Sequence, residues 1–313
     1  MKNLIFLFFF LNLLYSNDFE TASQYYKNKH YKKAFELYDK LARKNNANAQ
    51  YNLALMYYNG VGIEKNQIQA FIWLSTASKQ AHKEAQNKLA YMYEKGIIPD
   101  IQDTKKALVL YTKSANQNYD VAQLNLAMHY AQFINEASTK KALYWYTKAF
   151  NNGNIVATNN LATMYYFGNG IKRDYKKSAK LYTIAAIAND KLAQYNLAMM
   201  YYSGSGIKKD FDLASKWLKK SASNENKLAQ LKLGHFYRQG NNLVNQDYKK
   251  ALYWYFKAAK HKYPPAQYYV GFCYYNGYGI KKDIKKATYW MYLSSKNGYK
   301  FATDFMKRKK LYY

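Results

Sequence analysis

The chain has little of several residue types that commonly hold proteins together or do chemistry. It contains one cysteine, three prolines and five histidines among 313 residues. The single cysteine, Cys273, excludes an intrachain disulfide, so packing alone must stabilise the fold. The histidines are not spaced as metal ligands, and we expect neither a metal nor a cofactor. With 49% hydrophobic residues and so few prolines, the composition is that of a folded protein rather than a disordered one.

Acidic residues are also scarce, and the N-terminus has a character of its own. Lysine and arginine number 48 against 19 aspartate and glutamate, which leaves a net charge of +29. Residues 1–16 place Lys2 before an apolar run, Leu4 to Leu14, that only Asn12 interrupts. This pattern is typical of a secretory signal peptide and is too short for an ordinary membrane-spanning helix. We therefore expect a periplasmic or secreted protein that meets the membrane only through a transient signal peptide.

Most of the remaining sequence consists of tandem copies of one motif. An alanine that usually precedes glutamine recurs at intervals of 35 to 37 residues: Ala49, Ala85, Ala122, Ala157, Ala193, Ala229, Ala266 and Ala302. Small or leucine-like residues follow at offsets of four and five, and tyrosine follows at eight. These offsets trace one face of a helix, so we predict that the tyrosine column lies in the core.

A second helix follows in each repeat. Its marker alanines are Ala70, Ala107, Ala142, Ala179, Ala214, Ala251 and Ala287, with an aromatic residue or leucine three positions later. Each repeat is therefore a helix–loop–helix pair. One pair cannot bury its apolar face alone, whereas stacked pairs can. The sequence predicts an all-α, right-handed α-solenoid of stacked helix-turn-helix repeats with a period of about 36 residues.

The repeated motif A-Q-x-x-L-A-x-M-Y-x-x-G-x-G, followed by A-x-x-W-x-x-x-A, resembles the Sel1-like repeat family, which is related to tetratricopeptide repeats. The resemblance covers almost all of the chain after the signal peptide. It implies a divergent leading unit at 17–48 and seven repeats within 49–301, starting at 49, 85, 122, 157, 193, 229 and 266. Residues 302–313 would form a partial capping helix with a basic tail.

The loop between the two helices contains paired glycines in four repeats: Gly60 and Gly62, Gly168 and Gly170, Gly204 and Gly206, and Gly277 and Gly279. We interpret the first glycine as a helix terminator and the second as a sharp turn. Asp210 is placed to cap the following helix. A phosphate-binding loop would need a preceding strand and a Gly-Lys-Ser/Thr ending, and the sequence has neither.

Lysines recur in register and would align along one edge of a solenoid. A candidate basic ridge in the loops comprises Lys172, Arg173, Lys208, Lys209, Lys281 and Lys282. Such a ridge attracts polyanions, and an anionic envelope polymer is the candidate ligand. The alternative is a solvated surface in a lysine-rich chain. We expect no nucleic acid as a partner, since no nucleic-acid-binding module is visible.

Catalytic motifs are not apparent, and we assign no catalytic residue. Ser138–Lys141 and Ser205–Lys208 match Ser-x-x-Lys by letters, but the partner motifs of β-lactamases are absent. Cys273 and His129 occupy a packing column. Tyr58, Tyr166, Tyr202 and Tyr275 are candidate aromatic residues of a binding groove.

The resemblance implies an interaction scaffold or adaptor in the cell envelope that holds a protein partner in a concave groove. Two alternatives stay open. One is a weak β-lactamase or peptidoglycan- or penicillin-binding hydrolase, an activity ascribed to the cysteine-rich Sel1-like branch, whose paired cysteines this chain lacks. The other is a secreted effector that binds a host protein.

Overall fold

The computed structural model describes residues 18–133 and 135–313, and the predicted signal peptide lies outside them. Within this part the regular structure is helical, apart from an isolated bridge between Asn241 and Val244. The helices are α1 (18–27), α2 (Tyr31–Arg43), α3 (Ala47–Asn59), α4 (Gln67–Lys79), α5 (Lys83–Lys95), α6 (Thr104–Asn116), α7 (Asp120–Ala131), α8 (Glu136–Asn151), α9 (Ile155–Phe167), α10 (Tyr175–Ile187), α11 (Lys191–Ser203), α12 (Phe211–Ser223), α13 (Lys227–Gln239), α14 (Tyr248–Lys260), α15 (Pro264–Asn276), α16 (Ile284–Lys296) and α17 (Lys300–Lys309).

The helices fall into two compact units, one ending at Asn154 and one beginning at Ile155. In the first unit α3, α5 and α7 are the first helices of their pairs, and α4, α6 and α8 are the second helices. In the second unit α9, α11, α13 and α15 are first helices, and α10, α12, α14 and α16 are second helices. Each first helix packs on its own second helix and on the second helix before it within the unit. The prediction of an all-α solenoid with a repeat of about 36 residues is confirmed.

The predicted alanine and leucine columns form the core. The anchor alanines are fully buried, and so are most residues four, five and seven positions later, including Met56, Met200 and Cys273. The tyrosine column eight positions after each anchor is different, because only Tyr274 is buried and the others are half-buried. The prediction that this column is core is therefore wrong for six of its seven members. We call these six half-buried residues the rim tyrosines, because part of each side chain remains accessible to water.

The loops between paired helices are short because two backbone features close them. Gly60, Gly204 and Gly277 end first helices with left-handed φ angles of 71°, 77° and 76°. Gly168 takes the same conformation, with φ at 69°. The N–H of the following cap residue then donates to the carbonyl of the rim tyrosine, as in the 3.1 Å bond from Asp210 to Tyr201. Glycine is the residue that adopts this conformation without strain.

The second glycine of the motif also makes a close contact between repeats. Gly62, Gly170, Gly206 and Gly279 have φ angles of 69° to 75°. A Cβ on Gly62 would lie 2.7 Å from the carbonyl oxygen of Tyr31, and one on Gly206 would overlap the backbone of Tyr175. Both tyrosines begin the second helix of the preceding pair. This glycine therefore lets a loop rest directly on the neighbouring repeat.

Acidic or amide side chains cap the second helices, as predicted for Asp210. The carboxylate of Asp210 accepts a 2.8 Å bond from the N–H of Leu213, and Asp174 does the same for Lys177. In most second helices the buried marker lies four residues after the cap. In α10 that residue is Ser178, which is fully buried, so the predicted marker Ala179 is wrong by one position.

Three repeats lack one or both loop glycines. The loop after α5 keeps Gly96 but has Ile98 at the second position, and the other two repeats differ more strongly. After α7 the chain ends its helix at Gln132 in a right-handed conformation, and α8 is 16 residues long. After α13, Gly240 has φ 70° and ψ 148°, and Asn241 pairs with Val244 across a small turn. Without both glycines the standard loop cannot form in either place.

A buried glutamine one position after the anchor alanine links successive helices. In the first unit, Gln86 Nε2 donates to the carbonyl of Ser78 at 3.2 Å, and Gln117 Nε2 donates to Gln86 Oε1 at 2.8 Å. The same pair of bonds is made by Gln50 and Gln123 in that unit and by Gln194 in the second. A buried amide needs such partners at both ends.

Candidate interaction surfaces

The six residues of the candidate basic ridge are all exposed and belong to three loops of the second unit. Some of their side chains rest on aromatic rings. Arg173 lies 5.6 Å from the ring of Tyr175, Lys209 lies 4.8 Å from Phe211, and Lys282 lies 5.7 Å from Tyr275. The charges therefore remain in water while the stems cover apolar surface. Their alignment into one polyanion-binding ridge stays a prediction.

A second set of lysines makes cation–π contacts with the tyrosines eight positions after each anchor alanine. The lysine directly before the buried marker of a second helix reaches over the column tyrosine of its own repeat: Lys106 over Tyr93, Lys141 over Tyr130, Lys177 over Tyr165, Lys250 over Tyr237 and Lys286 over Tyr274, at 4.3 to 5.7 Å. Cation–π contacts of this kind are favourable at partly exposed sites. Part of the large positive charge is therefore explained by repeat architecture.

The four candidate groove tyrosines are half-buried in packing contacts. Lys88 lies 3.8 Å from the ring centre of Tyr58. Tyr166 packs against Tyr175 with ring centres 5.2 Å apart, and Tyr202 packs against Phe211 and Phe236. Tyr275 meets Phe305 edge-on at 5.2 Å. Each ring is therefore engaged in packing and only partly open to solvent.

The exposed faces of the first helices in the second unit carry no negative charge. None of the helices α9, α11, α13 and α15 contains an aspartate or glutamate. On α13 the side chains of Lys232, His235 and Arg238 follow one another at helical spacing and lie on one face. This face was not singled out from the sequence, although the absence of acids from these helices was visible there.

Aromatic rings surround the three basic residues of α13. His235 lies edge-on to Tyr269 with ring centres 4.4 Å apart, and its Nδ1 lies 2.9 Å from the hydroxyl of Tyr255. Arg238 lies 5.9 Å from the ring of Tyr269, and in the described part of the chain its buried Nε has no hydrogen-bond partner. Burial, with Arg238 and Lys232 nearby, lowers the pKa of His235 to about 4. The imidazole is therefore neutral at pH 7.

The first unit presents a smaller version of this face. Lys88 of α5 is half-buried between Tyr58 and Tyr91, whose ring centres lie 3.8 and 5.2 Å from its Nζ. Burial lowers the pKa of this lysine. Within the residues that the structure describes, no carboxylate lies within ion-pairing distance of Lys88. Cation–π contacts with the two rings stabilise its charge.

The residues considered for catalysis do not form a site. Cys273 is fully buried, and burial raises the pKa of its thiol to about 12, so it is not a ready nucleophile. Ser205 bonds to Ser203 in a loop, and Ser138 lies in the first turn of α8. Among the described residues no cluster of potential ligands could hold a metal ion. No helix of the described part is long and apolar enough to span a membrane.

Comparison with known proteins identifies the repeats. The family model for the Sel1 repeat matches eight segments: residues 26–46, 47–82, 83–119, 120–154, 155–190, 191–226, 227–263 and 264–299. The chain belongs to the Sel1 repeat family. The resemblance inferred from the motif is thus confirmed. Sel1 repeat proteins are in general scaffolds for protein interaction.

Solved structures extend the comparison. The chain is 29% identical to a Sel1 repeat protein from Oxalobacter formigenes, with a TM-score of 0.71, over 88% of this chain and 79% of that one. It is also 29% identical, with the same TM-score, to a protective antigen of uropathogenic Escherichia coli strains that displays an SLR fold. There the match covers 92% of this chain but only 62% of that protein.

A more distant likeness concerns the fold alone. Yeast Tom70 is 15% identical, with a TM-score of 0.55 over 90% of this chain and 62% of its own. No curated protein matches the sequence.

Proposed function

We propose that this Sel1 repeat protein is an exported adaptor that binds a segment of another protein on the first-helix face of its second unit. The observation that carries the proposal is the complete lack of acidic residues from α9, α11, α13 and α15, together with Lys232 and Arg238 among aromatic rings. A face of this chemistry favours a partner segment with carboxylates and apolar side chains.

The proposal of export depends on the N-terminal sequence, in which Lys2 precedes the apolar run Leu4 to Leu14. The absence of intrachain disulfides agrees with a fold held by packing and buried amides. In this location the partner would be a protein of the cell envelope. The basic ridge of Lys172, Arg173, Lys208, Lys209, Lys281 and Lys282 would provide a weaker, salt-sensitive attraction to anionic envelope polymers.

The experiment is a crosslinked pull-down from fractionated cells, compared between the wild type and Lys232→Glu. A tagged wild-type protein should appear in the periplasmic fraction and retain one discrete protein at high salt. The Lys232→Glu variant should lose that protein because the added carboxylate repels an acidic segment. The matched control is Lys172→Glu, which changes the same charge on the ridge and should keep the partner.

Three outcomes would contradict the proposal. Equal capture by both variants would remove the first-helix face from the interaction. Recovery of anionic polymer alone, released by salt, would make the ridge the main binding surface. Recovery of the protein from the medium with a host protein would support a secreted effector instead.

A further inference from the structure

In the first unit a groove lies between the second helices α4 and α6, rather than on the first-helix face. Its volume is about 530 Å³. The floor is apolar and is built by Phe71 of α4, Leu89 and Tyr93 of α5, and Leu110 of α6. Val109 forms part of the wall and is 54% exposed. An exposed apolar groove of this size is a feature that commonly marks a binding surface.

The groove lies where the repeat has leucine in place of its usual tryptophan. The position three after the second-helix marker is tryptophan in five of the seven second helices: Trp73, Trp145, Trp217, Trp254 and Trp290. In α6 it is Leu110, which lines the groove. An indole at this position would occupy the space that leucine leaves open. The groove therefore comes from a local departure from the repeat, on a backbone that accepts the larger residue elsewhere.

Lysines stand at both ends of the apolar floor. Lys105 and Lys106 lie at the start of α6, and Lys79 and Lys113 lie near the ends of α4 and α6. Lys106 pairs with Asp103 at 3.4 Å. In the parts of the chain that the structure describes, the other three have no carboxylate within ion-pairing distance.

The spacing of these lysines indicates the shape of a ligand. Lys105 and Lys113 are separated by two turns of α6, which is about 12 Å along the axis. An occupant that matches both ends needs two negative groups at that distance with apolar surface between them. A helix with acidic residues about seven or eight positions apart has this geometry. A single-headed lipid would neutralise only one end.

We propose that the groove between α4 and α6 binds an amphipathic helical segment of a partner protein, with an apolar stripe flanked by acidic residues two turns apart. Helices commonly bind in this way, with apolar side chains in a groove and charged ones at its rim. The surface belongs to second helices and is separate from the first-helix face. The two proposals can therefore fail independently.

The test is a selection from a phage-displayed library of random 13-residue peptides on the purified chain, depleted on the Leu110→Trp variant. We expect enriched peptides with acidic residues about seven or eight positions apart and apolar residues between them. A fluorescent synthetic copy should bind in a salt-sensitive manner. Its affinity should fall about tenfold or more for Leu110→Trp, since the indole fills the groove.

A second variant guards against misfolding of the first. Val109→Glu adds a negative charge to the groove wall at an exposed position, and Tyr144→Glu adds the same charge at the equivalent position of α8, which is 53% exposed. Val109→Glu should abolish peptide binding, whereas Tyr144→Glu should leave it unchanged. Circular dichroism should show the same helicity for all variants.

The proposal is overturned if the selection yields no peptide that distinguishes the wild type from Leu110→Trp, or if the enriched peptides lack acidic residues. It is also overturned if decanoate or phosphatidylglycerol vesicles bind in a Leu110-dependent manner and the peptides do not. That result would make the groove a lipid site.

Discussion

The helix pairs α5/α6 and α13/α14, one from each unit, bury similar residues at equivalent positions. On α5 these are Ala85, Gln86, Leu89, Ala90 and Met92, and on α13 they are Ala229, Gln230, Leu233, Gly234 and Phe236. Both pairs also bury a tyrosine from the second helix, Tyr111 or Tyr255. A buried hydroxyl needs a hydrogen-bond partner, and the two repeats provide it differently.

In the first unit the partner is a carboxylate, since the hydroxyl of Tyr111 donates to Glu94 at 2.9 Å. In the second unit it is His235, whose Nδ1 lies 2.9 Å from the hydroxyl of Tyr255. The same packing thus places a negative group on one first-helix face and a neutral ring beside Arg238 on the other. The comparison teaches that the core columns define the repeat, while the exposed columns decide what each unit can bind.

The largest expected effect tests what the two units share. Gly62→Ala in the first unit and Gly206→Ala in the second should each lower the free energy of unfolding by about 3 kcal/mol or more, because both positions combine a left-handed backbone with a close backbone neighbour. Urea unfolding followed by circular dichroism measures this.

The control for these glycines is Gly153→Ala, because Gly153 also has a positive φ, 80°, but nothing lies near its Cβ position. It should cost only about 1 kcal/mol, the strain alone. If Gly206→Ala cost no more than Gly153→Ala, the contact between loop and neighbouring repeat would not matter.

The next effect is the pH dependence of stability that His235 of the second unit produces. The pKa of His235 is about 4 in the folded chain and 6.5 when unfolded. Below pH 6.5 the unfolded chain therefore takes up a proton that the folded chain does not, and stability falls between pH 6.5 and 4. The loss attributable to this residue should be about 2 kcal/mol, since the ring is partly exposed.

Thermal unfolding of the wild type and His235→Gln across this pH range would measure that loss. Glutamine can still bond Tyr255 but does not titrate, so the variant should show a shallower decline. Lys232 and Arg238 are the same in both proteins, so they cannot produce the difference. Parallel curves for the two proteins would show that His235 is not the source.

The smallest expected effect concerns the buried glutamines. In the first unit all three have partners at both ends, whereas Gln230 Oε1 in the second unit is buried with no partner among the described residues. In the other repeats an amide side chain at the end of the second helix donates to this glutamine oxygen: Gln80, Gln117, Asn152, Asn224 or Asn297. In the repeat of Gln230 the equivalent residue is His261, which makes no such bond. His261→Asn should stabilise the chain by about 1 kcal/mol by supplying that bond.

The reverse change, Asn224→His, should cost a similar amount because it removes the donor to Gln194. Both variants can be compared by their unfolding midpoints in urea. If His261→Asn left the midpoint unchanged while Asn224→His lowered it, a water or the histidine itself would already satisfy Gln230.

Much of the architecture followed from spacing alone. The period, the helix pairs and the capping role of Asp210 were predictable, because burial on one helical face and termination by glycine are local rules. The prediction failed by one residue at Ala179, since an alanine beside Ser178 offered a false register. It also failed for the rim tyrosines, because a long ring can reach the surface from a position that faces the core.

The candidate surfaces were less predictable. The absence of acids from four first helices can be read from the letters, but its meaning depends on knowing that Lys232, His235 and Arg238 meet the rings of α15. The groove at Leu110 lies where most other repeats have tryptophan. A motif search looks for residues that recur, so it does not point to this substitution.

By itself the sequence determined the repeat, its period and the loop chemistry, because these depend on residues that are close along the chain. The tertiary structure alone decided which tyrosines lie at the rim, that Gly206 touches Tyr175, that Gln230 lacks a partner and that a groove opens beside Leu110. Those features join residues from different helices, and close packing makes each depend on the exact volume of its neighbours.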